Sequence, residues 1–163
     1  MVTRARARVA DGALRIDLLI ARSQALPFPD RSFDIVTCVA VLTFVSDADV
    51  AIREMARVLR PAGRLVIGDL GRWSLWAARR RLRGWFGAKL WRTARFRTAT
   101  ELAALITQTG LVVGSIEGSI FFPPWTALAR VMAPFDLRLG KHTTLGAAFV
   151  AIQTTKPGRG ETC

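Results

Sequence analysis

Two short apolar runs on either side of one amphipathic segment constrain the fold more than any other feature. Residues 33–41 (FDIVTCVAV) and 64–70 (RLVIGDL) are rich in β-branched residues, which is typical of strands buried on both faces of a parallel sheet. The segment 47–59 between them has apolar residues at helical spacing: Val50, Met55, Val58 and Leu59. This order predicts a strand–helix–strand unit with its two strands parallel.

The rest of the chain predicts an α/β fold with an antiparallel finish. Thr98 or Thr100 can cap a helix that has Glu101 in its first turn and ends before Gly110. The other predicted elements are a helix over 1–10, strands over 14–21, 111–120 and 145–154, and a helix over 123–133.

Length and composition exclude several classes of protein. A chain of 163 residues that is 51% hydrophobic can bury one core, which excludes a disordered chain. The longest nearly apolar stretch, 35–45, is too short to span a bilayer, and no apolar stretch follows the N-terminal arginines. Cys38 and Cys163 are the only cysteines, so no disulfide framework or metal-ligand spacing is predicted. We therefore expect a cytoplasmic protein.

Three motifs in order resemble those of one enzyme family. They are QALPFPDRSFD at 24–34, the run IVTCVAVLTFV that follows it, and EMARVLRPAGRLVIGDL at 54–70. Together they resemble class I S-adenosylmethionine-dependent methyltransferases of the methyltransferase domain 11 type. Ala62 stands where the family usually has glycine.

The resemblance implies S-adenosylmethionine as cofactor, bound beyond the carboxyl ends of the strands. It assigns one loop to the adenine and the next to the methionyl side of the cofactor. The residues so assigned are Arg22, Ser23, Gln24 and Ala25 in the first loop and Cys38, Val39 and Ala40 in the second. Arg22 replaces the family's acidic residue, and a guanidinium has only donors, so it cannot accept a hydrogen bond from the adenine amino group.

The family's glycine-rich loop has no counterpart here, because no G-x-G precedes Leu26. Set against the family, the first two strand–helix units are absent. We therefore expect an N-terminally truncated, Rossmann-like methyltransferase sheet with impaired cofactor binding, whose strand at 33–41 exposes an apolar edge. Residues 1–155 form the predicted domain and 156–163 a polar tail.

Methyl transfer from a sulfonium requires positioning more than acid–base chemistry, so no catalytic residue is assigned. Four residues are candidates for contact with the methyl acceptor: Asp69, Trp73, Trp76 and His142. Asp69 either orients an acceptor hydroxyl or caps a turn. His142 is either a general base or a solvated loop residue.

The basic excess is densest in the tryptophan-rich segment 72–97. The chain has 24 Lys and Arg against 12 Asp and Glu, a formal net charge of +12. The segment is interpreted as a lid over an apolar acceptor, as an interfacial helix on an anionic membrane, or as a basic surface helix packed by its aromatic stripe.

Two functions follow from these features. The first is methyl transfer to a small apolar or lipid-like acceptor. The alternative is a non-catalytic methyltransferase-like module that binds a partner or an anionic membrane. Nucleic-acid binding ranks third, because the basic residues are not interleaved with a recognition module.

Overall fold

Four strands form one mixed sheet in the order β1-β2-β4-β3. The computed structural model describes residues 16–122, 136 and 138–158, so the helices predicted at 1–10 and 123–133 lie outside the described residues. The strands are β1 (Phe33–Val39), β2 (Leu59–Leu70), β3 (Val112–Ser119) and β4 (Phe149–Thr155). The helices whose bounds are described are α1 (Ala48–Val58), α2 (Leu75–Trp85), α3 (Lys89–Arg92) and α4 (Ala99–Thr107), with a 3-10 turn at Leu42–Phe44. Residues 138–142 are also helical, so His142 lies on a helix and not in the predicted loop.

The predicted strand–helix–strand unit is confirmed. β1 and β2 are parallel and are connected through α1, with Cys38 opposite Ile67 in the register. β4 runs antiparallel to both β2 and β3, which confirms the antiparallel finish. The carboxyl ends of β1 and β2 therefore lie side by side, at the same end of the sheet.

β2 begins at Leu59, five residues before the predicted start. Phe33 pairs with Leu59 and Ile35 with Arg64, so residues 60–63 form an irregularity within the strand. Within this irregularity, Ala62 is the residue with a left-handed backbone conformation, with φ of 62°. Glycine is required at position 63 for a different reason: a Cβ there would lie 2.8 Å from the backbone oxygen of Arg60, so only glycine allows the two backbone segments to come this close.

β1 is more exposed than its β-branched composition predicts. Only Cys38 is buried, while Ile35 is 61% and Val39 62% exposed. Among the described residues β1 pairs with β2 alone, so its second edge has no neighbouring strand to cover it. The strand predicted over 14–21 is not formed in its described part, because residues 16–21 make no ladder.

The core lies between the sheet and the helices α1 and α4. Its members are fully or almost fully buried and include Ile52, Met55, Leu65, Ile67, Leu102, Ile106 and Ile152. The start of α4 confirms the predicted cap: Glu101 N–H donates to the Thr98 hydroxyl, and the Glu101 carboxylate accepts from Thr98 N–H. This reciprocal capping box fixes where the helix begins.

The segment between β2 and α4 breaks into two helices. α2 ends at Trp85, and Gly87 has φ of 98° before α3 begins. Gly87 adopts the left-handed conformation that separates the two helices, a conformation that glycine takes without strain. Within the described ranges, no helix combines the length and hydropathy that crossing a bilayer requires.

The polar tail is anchored where it begins. The Lys156 ammonium donates to Ala56 O at 2.7 Å and Leu59 O at 2.8 Å, at the carboxyl end of α1. Its backbone also bonds the irregularity in β2, since Ala62 N–H donates to Lys156 O and Lys156 N–H donates to Gly63 O. A cation is favourable at a helix carboxyl terminus, where carbonyl groups lack helical partners.

Candidate functional site

The first cofactor-binding loop predicted from the sequence is a tight turn. Ala25 N–H donates to Arg22 O at 3.0 Å, and the Ser23 hydroxyl donates to the Gln24 side-chain oxygen at 3.3 Å. Arg22 and Ala25 are exposed, whereas Ser23 and Gln24 are half-buried. The turn thus offers backbone and amide groups, but its charged side chain extends into solvent.

The loop that follows is held by two side chains of α1, which we call the Glu54–Arg57 clasp. The Glu54 carboxylate accepts from Leu26 N–H at 3.0 Å, and the Arg57 guanidinium donates to Leu26 O at 3.1 Å and Phe28 O at 2.9 Å. Arg57 also donates to Asp30 at 2.6 Å and to Glu54 at 2.8 Å. The clasp therefore fixes residues 26–30 against the helix.

The bonds of the clasp stabilise the ionised carboxylate of Glu54. The Arg57 guanidinium and then the Leu26 N–H lower the pKa of Glu54 to about 2. This role of Glu54 was not predicted from the sequence. The available signal was the (i, i+3) pair of opposite charges inside the motif EMAR, which is the spacing at which helical side chains meet.

The second predicted cofactor loop begins where β1 ends. Cys38 is buried, Val39 is exposed, and Ala40 has φ of 54° with its N–H donating to Gly68 O at 2.7 Å. A non-glycine residue in the left-handed region costs about 1–2 kcal/mol. Burial, and then the charge of Asp69, raise the pKa of the Cys38 thiol to about 11, so this thiol stays protonated at neutral pH.

Asp69 holds the turn after β1 from the neighbouring strand. Its Oδ1 accepts from the Thr43 hydroxyl at 2.5 Å and from Thr43 N–H at 3.3 Å. The side chain is 2% exposed, and its Oδ2 makes no hydrogen bond to any described residue. Burial raises the pKa of Asp69, while its bonds to Thr43 and the charge of Arg97 oppose that rise. These contacts are those of a turn-holding residue.

The segment after β2 packs its aromatic side chains against that same turn. Trp91 stacks on Phe96 with ring centroids 6.3 Å apart and contacts Phe44 at 5.7 Å. The Arg80 guanidinium lies between the Trp76 and Trp91 rings, 5.7 and 5.3 Å from their centroids. Burial lowers the pKa of Arg80.

Of the predicted acceptor residues, Trp73 and Trp76 line one cavity together, and His142 lines a separate one. Trp73 also lines a larger open cavity of about 860 Å³, together with aromatic, aliphatic and basic side chains that include Arg81, Leu82, Trp91, Arg95 and Phe96. Trp76 is half-buried, and its indole N–H donates to Phe122 O at 2.9 Å. His142 is exposed and lines a different cavity, of about 350 Å³, beside α4 and β3. The fold therefore does not bring His142 into the cavities that Trp73 lines.

Comparison with known proteins agrees with these features. Residues 1–67 match the family model described as a methyltransferase domain. The chain is 37% identical over 142 residues to an uncharacterised protein of Mycobacterium tuberculosis, covering 86% of this chain and 48% of that protein. It is 33% identical over 138 residues to the ubiquinone/menaquinone biosynthesis C-methyltransferase of Shewanella woodyi, covering 84% and 51%. The chain spans about half the length of these curated relatives.

The fold is also found in solved structures. A Thermotoga maritima S-adenosylmethionine-dependent methyltransferase superposes with a TM-score of 0.69 at 24% identity, covering 96% of this chain and 69% of that one. At that identity the likeness concerns the fold alone. The matched domain, the related sequences and the shared sheet agree: residues 1–67 match the methyltransferase-domain family, and the chain has the class I S-adenosylmethionine-dependent methyltransferase fold.

Proposed function

We propose that this chain binds S-adenosylmethionine and takes part in methyl transfer to a small apolar or lipid-like acceptor. The observation that carries the proposal is the turn after β1, where Val39 is exposed and Ala40 has φ of 54°. This turn lies at the carboxyl end of a parallel strand pair, the edge at which open α/β sheets bind their ligands. Backbone strain at such an edge is common at functional sites.

The residues present fit part of the cofactor. Backbone groups of Ser23 and Gln24 would face the adenine, and the turn at Val39 and Ala40 would face the methionyl group. Arg22 provides no acceptor for the adenine amino group, and no G-x-G precedes Leu26 to admit the cofactor closely. Weak cofactor binding by residues 1–163 is therefore part of the proposal.

The chemistry asks little acid–base work of the protein. The cofactor supplies an electrophilic methyl group on a sulfonium, and the chain's own residues have to orient an acceptor and exclude water. Trp73, Trp91 and Phe96 give one cavity an apolar wall suited to an apolar acceptor. An apolar acceptor also fits the similarity to the ubiquinone/menaquinone biosynthesis C-methyltransferase of Shewanella woodyi.

Isothermal titration with S-adenosylhomocysteine tests cofactor binding. We expect a measurable but weak interaction, at least about tenfold weaker than that of the longer Mycobacterium tuberculosis relative titrated in parallel. Equal affinities would contradict weak binding. Heat from the relative but none from this chain would contradict cofactor binding and favour the alternative, a methyltransferase-like module without cofactor, which the arginine at position 22 already favours.

A matched pair of variants locates the site. Val39 and Ile35 lie four residues apart on β1 and are equally exposed, but only Val39 is at the carboxyl end of the strand. Val39→Trp should weaken S-adenosylhomocysteine binding at least about tenfold by filling the space beside the turn. Ile35→Trp should leave it unchanged. Equal effects of the two substitutions would place the cofactor elsewhere.

A further inference from the structure

Three large apolar residues of α2 and its C-terminal cap residue Phe86 are exposed to solvent. Leu75 is 63%, Leu82 51%, Trp85 90% and Phe86 86% exposed. Its buried positions are the small residues Ala77 and Gly84. An ordinary surface helix has the reverse arrangement, with its apolar stripe against the core.

The exposed residues form a continuous stripe. Leu75, Leu82 and Phe86 follow one another at spacings of seven and four residues, which places them on one side of a helix. Together with Arg79 and Arg83 they line one shallow groove on that side. We call this surface, together with the exposed Trp85 at its flank, the α2 outer face; its residues are Leu75, Arg79, Leu82, Arg83, Trp85 and Phe86.

The charge around the α2 outer face has one sign. Between residues 71 and 100 the sequence has no Asp or Glu and nine cationic residues: Arg72, Arg79, Arg80, Arg81, Arg83, Lys89, Arg92, Arg95 and Arg97. Arg72 pairs with Glu101 at 2.7 Å. In the described part of the chain, Arg79 and Arg83 have no carboxylate within ion-pair distance. The surface is therefore complementary to an anionic, apolar partner.

We propose that the α2 outer face docks on an anionic lipid surface. Leucine, tryptophan and phenylalanine side chains insert at the boundary between headgroups and acyl chains, and flanking arginines bind lipid phosphates, as in helices that lie in the plane of a membrane. A second copy of this chain is a poor occupant, because it would bring two arrays of like charge together. The docking requires no cofactor and does not rest on the proposed methyl transfer.

Vesicle co-sedimentation of the full chain tests the proposal. Vesicles of phosphatidylcholine alone are compared with vesicles of about three parts phosphatidylcholine to one part phosphatidylglycerol, at low and physiological salt. We expect sedimentation with the anionic vesicles, a blue shift of tryptophan emission on binding, and weaker binding at higher salt. No sedimentation with anionic vesicles, or equal sedimentation with both kinds, would overturn the proposal.

Two double variants with matched controls test which residues bind. Leu82→Ser with Phe86→Ser should weaken partition at least about tenfold. Arg79→Gln with Arg83→Gln should also weaken it at least about tenfold, because each cation near an anionic surface contributes about fivefold. Val112→Ser removes a similarly exposed apolar side chain from β3, and Arg64→Gln removes an exposed cation from β2; neither should change partition.

Circular dichroism and thermal melting establish that each variant is folded. If the variant Leu82→Ser with Phe86→Ser does not fold, the variant Arg79→Gln with Arg83→Gln still tests the proposal. Wild-type partition by both double variants would overturn the proposal. The proposal would also be overturned if the protein did not bind anionic vesicles and sedimentation equilibrium showed a dimer that the double variant Leu82→Ser with Phe86→Ser dissociates. Failure of the S-adenosylhomocysteine titration would leave the expected vesicle binding unchanged, so the two proposals fail separately.

Discussion

The unit formed by β1, α1 and β2 and the segment 71–97 use the same kinds of residue in opposite ways. In the unit, large apolar side chains such as Ile52 and Leu65 are fully buried, and the Glu54–Arg57 clasp pairs its charges. In the helix α2 of the segment, the small residues Ala77 and Gly84 are buried while Leu82 and its neighbours face outward. Its cations lie mostly over aromatic rings or in solvent.

This difference distinguishes residues that stabilise the fold from residues that are held exposed on its surface. Glu54 and Arg57 belong to the family-like motif, and their contacts explain why that motif accompanies this loop: they hold residues 26–30. The apolar side chains of the α2 outer face make no comparable contribution to the core. Exposed leucine, tryptophan and phenylalanine in one patch mark an interaction surface rather than a packing requirement.

Two identical substitutions give the largest expected contrast. Leu65→Ala deletes a fully buried side chain from β2 and should lower the free energy of unfolding by about 2–5 kcal/mol. Leu82→Ala deletes an exposed one from α2 and should change it by less than about 0.5 kcal/mol. Urea unfolding of both variants measures the two values. A cost above about 2 kcal/mol for Leu82→Ala would show that Leu82 packs as tightly as the buried residues of the strand–helix–strand unit.

The bond between Asp69 and Thr43 is expected to have the next largest effect. Thr43→Val leaves the buried Asp69 carboxylate without its hydroxyl donor and should cost about 1–3 kcal/mol in urea unfolding. Thr154→Val is the control, since this equally buried hydroxyl donates to a backbone carbonyl, Leu65 O, and should cost about 0.5–1.5 kcal/mol. Equal costs would mean that Asp69 does not hold the turn through Thr43.

The Glu54–Arg57 clasp predicts a smaller effect that depends on pH. The pKa of Glu54 is lower in the folded protein, about 2, than its ordinary value of 4.5, so its stabilising contribution is present above about pH 4.5 and is lost as the pH falls toward 2. Glu54→Gln should therefore lower the Tm by a few degrees at pH 7 and by little at pH 2.

Asp49→Asn is the control for the clasp. Asp49 pairs with Arg53 on the same helix, but both side chains are exposed and bond no loop. Melting curves from pH 2 to 7 for the three proteins make the comparison. If Asp49→Asn lowers the Tm at pH 7 as much as Glu54→Gln does, the clasp is no stronger than an ordinary surface pair.

The sequence predicted those parts of the fold that depend on neighbouring residues. The strand–helix–strand unit follows from apolar periodicity, and the capping box of Thr98 and Glu101 follows from residues three apart. Contacts between distant segments were not predictable: Asp69 meets Thr43 across 26 positions and Glu54 meets Leu26 across 28. The β-branched composition of β1 alone predicted a strand buried on both faces, whereas the absence of the family's first two strand–helix units predicted the unpaired edge that the described residues have.

The same limit applies to the candidate site and to α2. Spacing placed Leu75, Leu82 and Phe86 on one face but did not reveal whether that face is inside or outside. The outcome depends on Gly84, whose backbone approaches Trp91 in α3 and draws the opposite side of α2 inward. The position of His142 beside α4 and β3 likewise depends on the tertiary fold, which the residues next to it in the sequence do not indicate.

Gly84 allows the smallest and most discriminating test of the comparison. Alanine would gain about 1 kcal/mol of helix propensity at this position. Its Cβ would lie 3.1–3.3 Å from the backbone of Trp91 and Arg92, a contact that requires α3 to shift by a few tenths of an ångström. If α2 and α3 are tightly packed, the two effects offset each other, and Gly84→Ala should change the free energy of unfolding by less than about 0.5 kcal/mol.

Gly63→Ala is the counterpart in the unit. Its Cβ would lie 2.8 Å from Arg60 O and 3.0 Å from Asp34 O, and an irregular strand offers no gain in helix propensity, so unfolding should become easier by about 1–3 kcal/mol. Urea unfolding of both variants compares them. A clear gain in stability from Gly84→Ala would mean that α3 moves at little cost to accommodate the added methyl group. The outward orientation of the apolar side chains of α2 would then not depend on close packing at its small residues.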